Sequence, residues 1–269
     1  MELPIYGLLL AIEGLFLGAG AATPVQTGQN IVCRFGYSIE SCGDLDGDGT
    51  SELIVGSPFN DEIVQVKEGL ARQPNDSGAL WVFSLSKSTV LAERRGLQAG
   101  GRLGTSIAAL PFGEKADRSQ CLAGEPGYDK GRGRLLLLNS TSLQTELEVK
   151  GSSPNAGLGA AVTYLREDDK GQLIAVMSQP GLDVGDGTAP KVSVMRLPSA
   201  EVIAERTFGT GEVLGRHFAI VPDINGDGIE DLATGIPLAK TDKGEKRRQG
   251  GSAFRRVPIV DSFNMGCAV

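Results

Sequence analysis

One internal distance recurs along this chain, and it constrains the fold more than any other feature. Phe35-Gly36-Tyr37-Ser38-Ile39 is followed by Leu53-Ile54-Val55-Gly56-Ser57-Pro58, and Gly36 and Gly56 lie 20 positions apart. Leu214-Gly215-Arg216-His217-Phe218-Ala219 and Asp231-Leu232-Ala233-Thr234-Gly235-Ile236-Pro237 repeat that spacing from Gly215 to Gly235. Two weaker copies lie between. Leu103-Gly104-Thr105-Ser106-Ile107 precedes Cys121-Leu122-Ala123-Gly124-Glu125-Pro126, again 20 apart, and Leu158-Gly159-Ala160-Ala161-Val162 precedes Leu173–Pro180, with Ser178 in place of the glycine at a spacing of 19. Successive units start 68, 55 and 56 residues apart, at Gly36, Gly104, Gly159 and Gly215.

A repeat of this size is one supersecondary unit that buries its apolar faces only by stacking on its neighbours. Each unit has a small-residue turn with alternating apolar positions, a polar loop, and a continuous apolar run ending at Gly-x-Pro. Such a run suits a strand buried on both faces. Further strands are expected at Leu80–Leu85, Leu135–Leu138, Val192–Met195 and Ser252–Arg255, with closing strands at Thr89–Glu93 and Leu143–Val149. Three or four strands per unit predict an all-β fold of propeller blades, with units starting near 35, 103, 158 and 214 within a domain over 25–269. No stretch shows the 3.6-residue period of helical solenoids. The 38 glycines in 269 residues fit many short strands joined by tight turns.

The polar loop of the first unit reads Asp44-x-Asp46-x-Asp48-Gly49-Thr50-x-Glu52. It offers side-chain oxygens at positions 1, 3, 5 and 9 and the Thr50 carbonyl at 7. The fourth unit offers Asp223, Asn225, Asp227 and Asp231, with the Ile229 carbonyl at 7. Alternate residues of a curled loop face inward, and the glycine after the third ligand permits the sharp turn. So many hard oxygen donors suit Ca²⁺, giving two expected sites. In the first loop, charges about 4 Å apart repel by about 4 kcal/mol at an effective dielectric near 20, so without a cation the loop is expected to swing open or take up protons. An EF-hand is excluded because its position 12 requires glutamate, whereas Val55 and Thr234 stand there. The loops of the middle units, Pro111–Ser119 and Arg166–Gly171, lack this alternation and are expected to bind no metal.

These residues resemble the FG-GAP repeat of integrin α-subunit β-propellers and related secreted proteins. Phe35-Gly36 stands for FG, Gly56-Ser57-Pro58 for GAP, and the acidic loop lies between them. The resemblance covers about residues 33–255, strongly in the first and fourth units. It implies a Ca²⁺-stabilised propeller exposed outside the cell that binds a protein or glycan ligand through its blade loops. Only the calcium positions carry over residue by residue. Integrin propellers have seven blades and this chain has four units. It is therefore a short propeller, a half that pairs with another copy, or a piece of a longer chain. Open blade edges are expected to invite self-association.

Charge and composition narrow the rest. With 26 basic and 33 acidic residues the net charge is −7, which excludes the basic footprint of a nucleic-acid binder. His217, the single histidine, excludes HExxH zinc proteases, and no GxxxxGK(S/T), GxGxxG or GxSxG motif is present. The expectation is a non-catalytic recognition or adhesion module. The alternatives are the propeller part of a polysaccharide- or phospholipid-active enzyme, whose carboxylates would come from Asp129, Asp183 and Asp186, and a scaffold for a partner protein.

The apolar stretch Leu8–Phe16, broken by Glu13, is either a secretory signal within residues 1–24 or a partial blade strand, and it is too short for a membrane span. Among Cys33, Cys42, Cys121 and Cys267, the first two flank one strand and are placed so that they could bridge in an oxidising compartment, with the pairing left open. Asn75 and Asn139 head glycosylation sequons, and Lys240–Arg248 is a basic patch read as a solvated loop or an acidic partner's docking site.

Overall fold

The computed structural model describes residues 34–60, 62–66, 69–73, 75–109, 120–167, 171–178, 189–209, 214, 217–224, 231–235 and 254–257. Residues 1–33 and 240–248 lie outside them, and with them the signal-or-strand alternative, Cys33 and the basic patch; Cys267 lies outside as well. No helix among the described residues is long and apolar enough to cross a membrane.

The chain is all-β. The first sheet joins β1 (Ser38–Gly43), β2 (Glu52–Ser57), β5 (Ala79–Ser84) and β6 (Thr89–Arg95) in the order β1-β2-β5-β6. The second joins β7 (Ser106–Ala109), β8 (Gln120–Glu125), β9 (Arg134–Asn139) and β10 (Thr145–Lys150), and the third β11 (Leu158–Glu167), β12 (Gly171–Ser178), β13 (Lys191–Leu197) and β14 (Glu201–Thr207), each in chain order. The fourth contains β15 (Phe218–Val221), β16 (Asp231–Gly235) and β17 (Phe254–Val257). Every pairing is antiparallel, and the sheets meander like propeller blades.

The register copies the repeat. Ser38 pairs with Gly56 and Ser106 with Gly124, each two residues after the unit's first glycine. In the third unit, whose spacing is 19, Ala161 pairs with Met177 and the register shifts between Leu158 and Ala161. A bulge thus absorbs the missing residue.

The leucine run of β9 shows why these strands read as continuous apolar stretches. Leu136 and Leu138 pack into one cluster with Cys42, Ile54, Leu80 and Val82 of the first sheet. Leu135 and Leu137 point the other way and pack with Val162, Val176, Met195 and Leu197 of the third. Successive side chains face opposite sides of a strand, so a sheet covered on both faces needs apolar residues at every position. A third cluster joins Ala161, Leu165, Val192 and Val194 to Leu214 and Leu232 of the fourth unit. The core is therefore a series of layers between consecutive sheets. The result is a partial β-propeller. Outer strands carry charges, Glu93, Arg94 and Arg95 on β6 and Glu146, Glu148 and Lys150 on β10, which disfavours edge-to-edge pairing.

Hydrogen bonds to main-chain carbonyls join the sheets at the first two seams. Ser38 Oγ donates to the Gly104 carbonyl at 2.8 Å, and Ser106 Oγ donates to the Gly159 carbonyl at 2.9 Å. Leu103 N–H donates to Ser77 O and Leu158 N–H to Arg132 O, forming equivalent parallel bridges Gly78–Leu103 and Gly133–Leu158. Gly104 and Gly159 present their carbonyls from φ of +84° and +90°, a region that favours glycine. Those carbonyls press on the second motif glycine of the preceding unit. A Cβ on Gly56 would stand 2.3 Å from Gly104 O, and one on Gly124 would stand 2.0 Å from Gly159 O. Both glycines of the motif are thus accounted for sterically. At the third seam the equivalent of Ser38 and Ser106 is Ala161, which has no hydroxyl to offer.

One buried ion network lies on the second sheet. Glu125, fully buried, accepts from Arg134 Nε at 2.6 Å, and Arg134 Nη1 donates to Glu148 Oε1 at 2.8 Å. Arg134 stacks 3.7 Å over the Tyr128 ring. Burial pushes the Glu125 carboxyl above its usual range, opposed by the neighbouring Arg134 charge. Gly101 leaves room for this carboxylate, since a Cβ there would meet Glu125 Oε1 at 2.3 Å.

Cys42 and Cys121 are free thiols buried together in the first seam, and burial pushes each up to about 12. At pH 8 about one in ten thousand of these groups is then thiolate. Peptides carrying Cys42 and Cys121 are expected to resist alkylation in the native protein and to react fully in urea. Equal native and denatured rates would contradict this packing. The sign of the pH effect follows. Their folded values lie above the unfolded ones, so stability is unaffected below about pH 9 and falls between about pH 9 and 12 as the unfolded thiols ionise, by about 1.4 kcal/mol per pH unit for each.

Candidate metal centre

The Asp44–Glu52 loop links β1 to β2. Its geometry begins with Asp44, whose Oδ1 accepts from the N–H groups of Gly47 at 2.8 Å and Asp48 at 3.1 Å, while Oδ2 accepts from Gly49 at 2.8 Å. Curling the backbone round one carboxylate requires residues in the left-handed region, and Gly47 (φ +75°) and Gly49 (φ +84°) occupy it. Thr50 N–H donates to Asp48 Oδ1 at 2.8 Å. Glu52, the first residue of β2, closes the loop by accepting from Leu45 N–H.

Ligand oxygens of Asp44, Asp46, Asp48 and Glu52 all lie within 4.8 Å of one another. This cluster could hold a metal ion. Glu52 is fully buried, and its Oε1 has no hydrogen-bond partner. Asp46 Oδ1 is likewise buried without one, while Oδ2 faces the Lys87 ammonium at 2.8 Å. Burying carboxylate oxygen without a partner is costly unless a cation or donor meets it, so the unmet oxygens argue that the residues present fit a metal. Oxygens on opposite sides of a Ca²⁺ ion bound at about 2.3–2.6 Å stand roughly 5 Å apart, a span this cluster matches. Asp44, Asp46, Asp48 and Glu52 would be the side-chain ligands. Calcium, when bound, would supply positive charge shared among them.

Two neighbours from the β5–β6 turn complete the electrostatics. Ser86 Oγ donates to Asp48 Oδ2, and this bond, with the Thr50 N–H, holds the Asp48 carboxyl below its usual range. Its hydrogen bond to Asp46 raises the Lys87 ammonium above the usual lysine value. Backbone N–H groups and Lys87, which lies 35 residues or more from the ligands in sequence, offset part of the crowding. Neither Ser86 nor Lys87 carries a local signal that would have assigned it to this site.

The fourth unit repeats one diagnostic bond. Ile224 N–H donates to Asp231 Oδ2 at 2.9 Å, as Leu45 N–H donates to Glu52 at the same two loop positions. Asp231 is buried like Glu52, and Asp223 is exposed. Asn225, Asp227 and Ile229 lie outside the described residues, as do Pro111–Ser119 of the second unit. In the third unit β11 runs to Glu167, which pairs directly with Gly171, so three residues replace the acidic loop.

The other singled-out residues take structural parts. Asp129 lies in an exposed turn and pairs with Arg132 at 3.1 Å, while Asp183 and Asp186 lie outside the described residues. His217 is exposed and accepts from Thr234 Oγ1 through its carbonyl. The sequon asparagines both bind their own turns: Asn75 accepts from Ser77 N–H, and Asn139 accepts from the N–H groups of Thr141 and Ser142.

Comparison with known proteins gives a family match over part of the chain. The model of the FG-GAP repeat matches residues 35–83. No curated protein matches the chain. Among solved structures, the Bacillus licheniformis rhamnogalacturonan lyase PL11 is 12% identical, with 71% of this chain and 38% of that chain covered and a TM-score of 0.44. That likeness is too loose to bear on fold or activity, and this chain spans well under half of the lyase's length. The matched residues run from Phe35 through β1, the acidic loop, β2 and β5, and they make this first sheet an FG-GAP repeat within a partial β-propeller.

Proposed function

We propose that this chain is a calcium-stabilised, non-catalytic propeller segment that acts outside the cell as a recognition or adhesion module for a protein or glycan. The observation that carries the metal part is the buried Glu52 carboxylate, which closes a loop of four converging acidic side chains and keeps one oxygen unpartnered. The role of the metal is structural. Asp44 and Glu52 sit at the two ends of the loop, so an ion shared between them pins β1 to β2 at the end where the blade would otherwise fray. The FG-GAP repeat supports the extracellular setting and the use of blade loops for recognition.

Calcium titration followed by thermal melting tests this reading. At free calcium 100 times the dissociation constant one site adds about 2.7 kcal/mol. In a chain of this size that corresponds to a rise of roughly 5–10 °C in Tm, reversed by EGTA. An unchanged Tm at millimolar calcium would refute the metal reading. Glycan arrays and pull-downs with and without EGTA then separate glycan from protein ligands. Turnover of polysaccharides or phosphoesters in a substrate screen would overturn the non-catalytic assignment.

A further inference from the structure

We propose that Lys87 is an internal competitor for the cation at the Asp44–Glu52 loop and sets how weakly that loop holds calcium; the inference rests on the metal reading above. The lysine belongs to the turn between β5 and β6, not to the ligand loop. Its ammonium nevertheless stands 2.8 Å from Asp46 Oδ2, and it lies close enough to Asp48 and Glu52 for their charges to act on it. Asp46 Oδ1 and Glu52 Oε1 have no hydrogen-bond partner, so the single ammonium answers only part of the carboxylate cluster. One monovalent group thus covers one edge of a site that a divalent ion would fill from the centre.

A cation bound among these carboxylates must either share Asp46 with Lys87, at the cost of cation–cation repulsion, or displace it. Either route weakens calcium binding. Displacement is open to Lys87 because half of its side chain is exposed and its stem is flexible. Ser86 couples the same turn to the loop through its bond to Asp48, so the turn is expected to shift with the metal. The lysine has a second effect of opposite sign. It offsets carboxylate repulsion in the metal-free protein, so its removal destabilises that form while favouring the loaded one.

The test uses the full chain with Lys87→Met and Lys87→Gln, read by calorimetric calcium titration and by Tm in EGTA and in millimolar calcium. Both variants are expected to bind calcium about three- to fivefold more tightly, as loss of one partly exposed charge contact implies. They are also expected to melt below the wild type in EGTA and at or above it in calcium. Lys87→Arg, which keeps the charge, should stay within about twofold of wild type. Unchanged or weaker affinity in both neutral variants would overturn the competitor role while leaving the metal reading intact. Absence of calcium binding in wild type and variants alike would overturn the metal reading and this inference together.

Discussion

Alanine at Gly124 is expected to cost about 3 kcal/mol of stability and lower Tm by roughly 6–12 °C. The new Cβ would stand 2.0 Å from the Gly159 carbonyl and 2.4 Å from Ser106 Oγ. Real side chains essentially never approach so closely, and here the obstacle is the backbone of the next sheet, not the end of a flexible chain. Relief requires the second and third sheets to move apart, which loosens the layer of Leu135, Leu137, Val162 and Met195 and strains the bond from Ser106 to Gly159. Gly100→Ala is the control. Gly100 has φ +73° but nothing within 4 Å of an added Cβ, so that change carries only a conformational cost of about 1–2 kcal/mol. Urea unfolding of both variants decides the matter: equal losses would refute the steric account of the seam.

Arg134→Met is expected to cost about 3–5 kcal/mol at pH 7, the usual consequence of leaving a buried charge without its partner. Glu125 is fully buried and receives both its hydrogen bond and most of its compensating charge from Arg134, whose side chain is only 10% exposed. The pH dependence supplies a signature. In the variant the Glu125 carboxyl lies further above its unfolded value. The deficit is therefore greatest at pH values above the folded pKa and disappears below the unfolded pKa of about 4.3. Measured as wild type minus variant, the loss should shrink between pH 7 and pH 5. Glu125→Leu combined with Arg134→Met should recover much of it, because both charges then leave together. A deficit below about 1 kcal/mol, or one that does not change with pH, would show that the pair contributes little.

Most of the fold was legible in the residues because burial on both faces writes itself into a strand. Leu135–Leu138 and Leu53–Gly56 were readable as strands, and the recurring glycine distance fixed which runs pair. The hairpin of β3 (Glu62–Val66) and β4 (Gly69–Gln73) was not, since Lys67-Glu68 lacks the Asn-Gly or Asp-Gly signal of a tight turn and the segment sits in what reads as a variable loop. β14 was missed for a different reason. Its apolar run, Val202-Ile203-Ala204, is only three residues long and flanked by Glu201, Glu205 and Arg206 at a solvent-facing edge, too short to stand out as a strand. At the site, alternating acidic residues were visible as a local pattern. The burial of Glu52 and the arrival of Ser86 and Lys87 were not, because they depend on how β5 and β6 return to the loop.

The seams between sheets are drawn mainly by carbonyls and amides, with glycines supplying the clearance and a serine hydroxyl at two of them. Such joints ask little of the remaining residues. Copies of the unit are thereby free to drift apart in sequence, shed their ion-binding loops or lengthen their connections, provided a handful of bare backbone positions is kept. Divergence of this architecture should accordingly be fastest at its loops and slowest at a few glycines, and grafting a foreign loop between β1 and β2 ought to leave the neighbouring sheets in place.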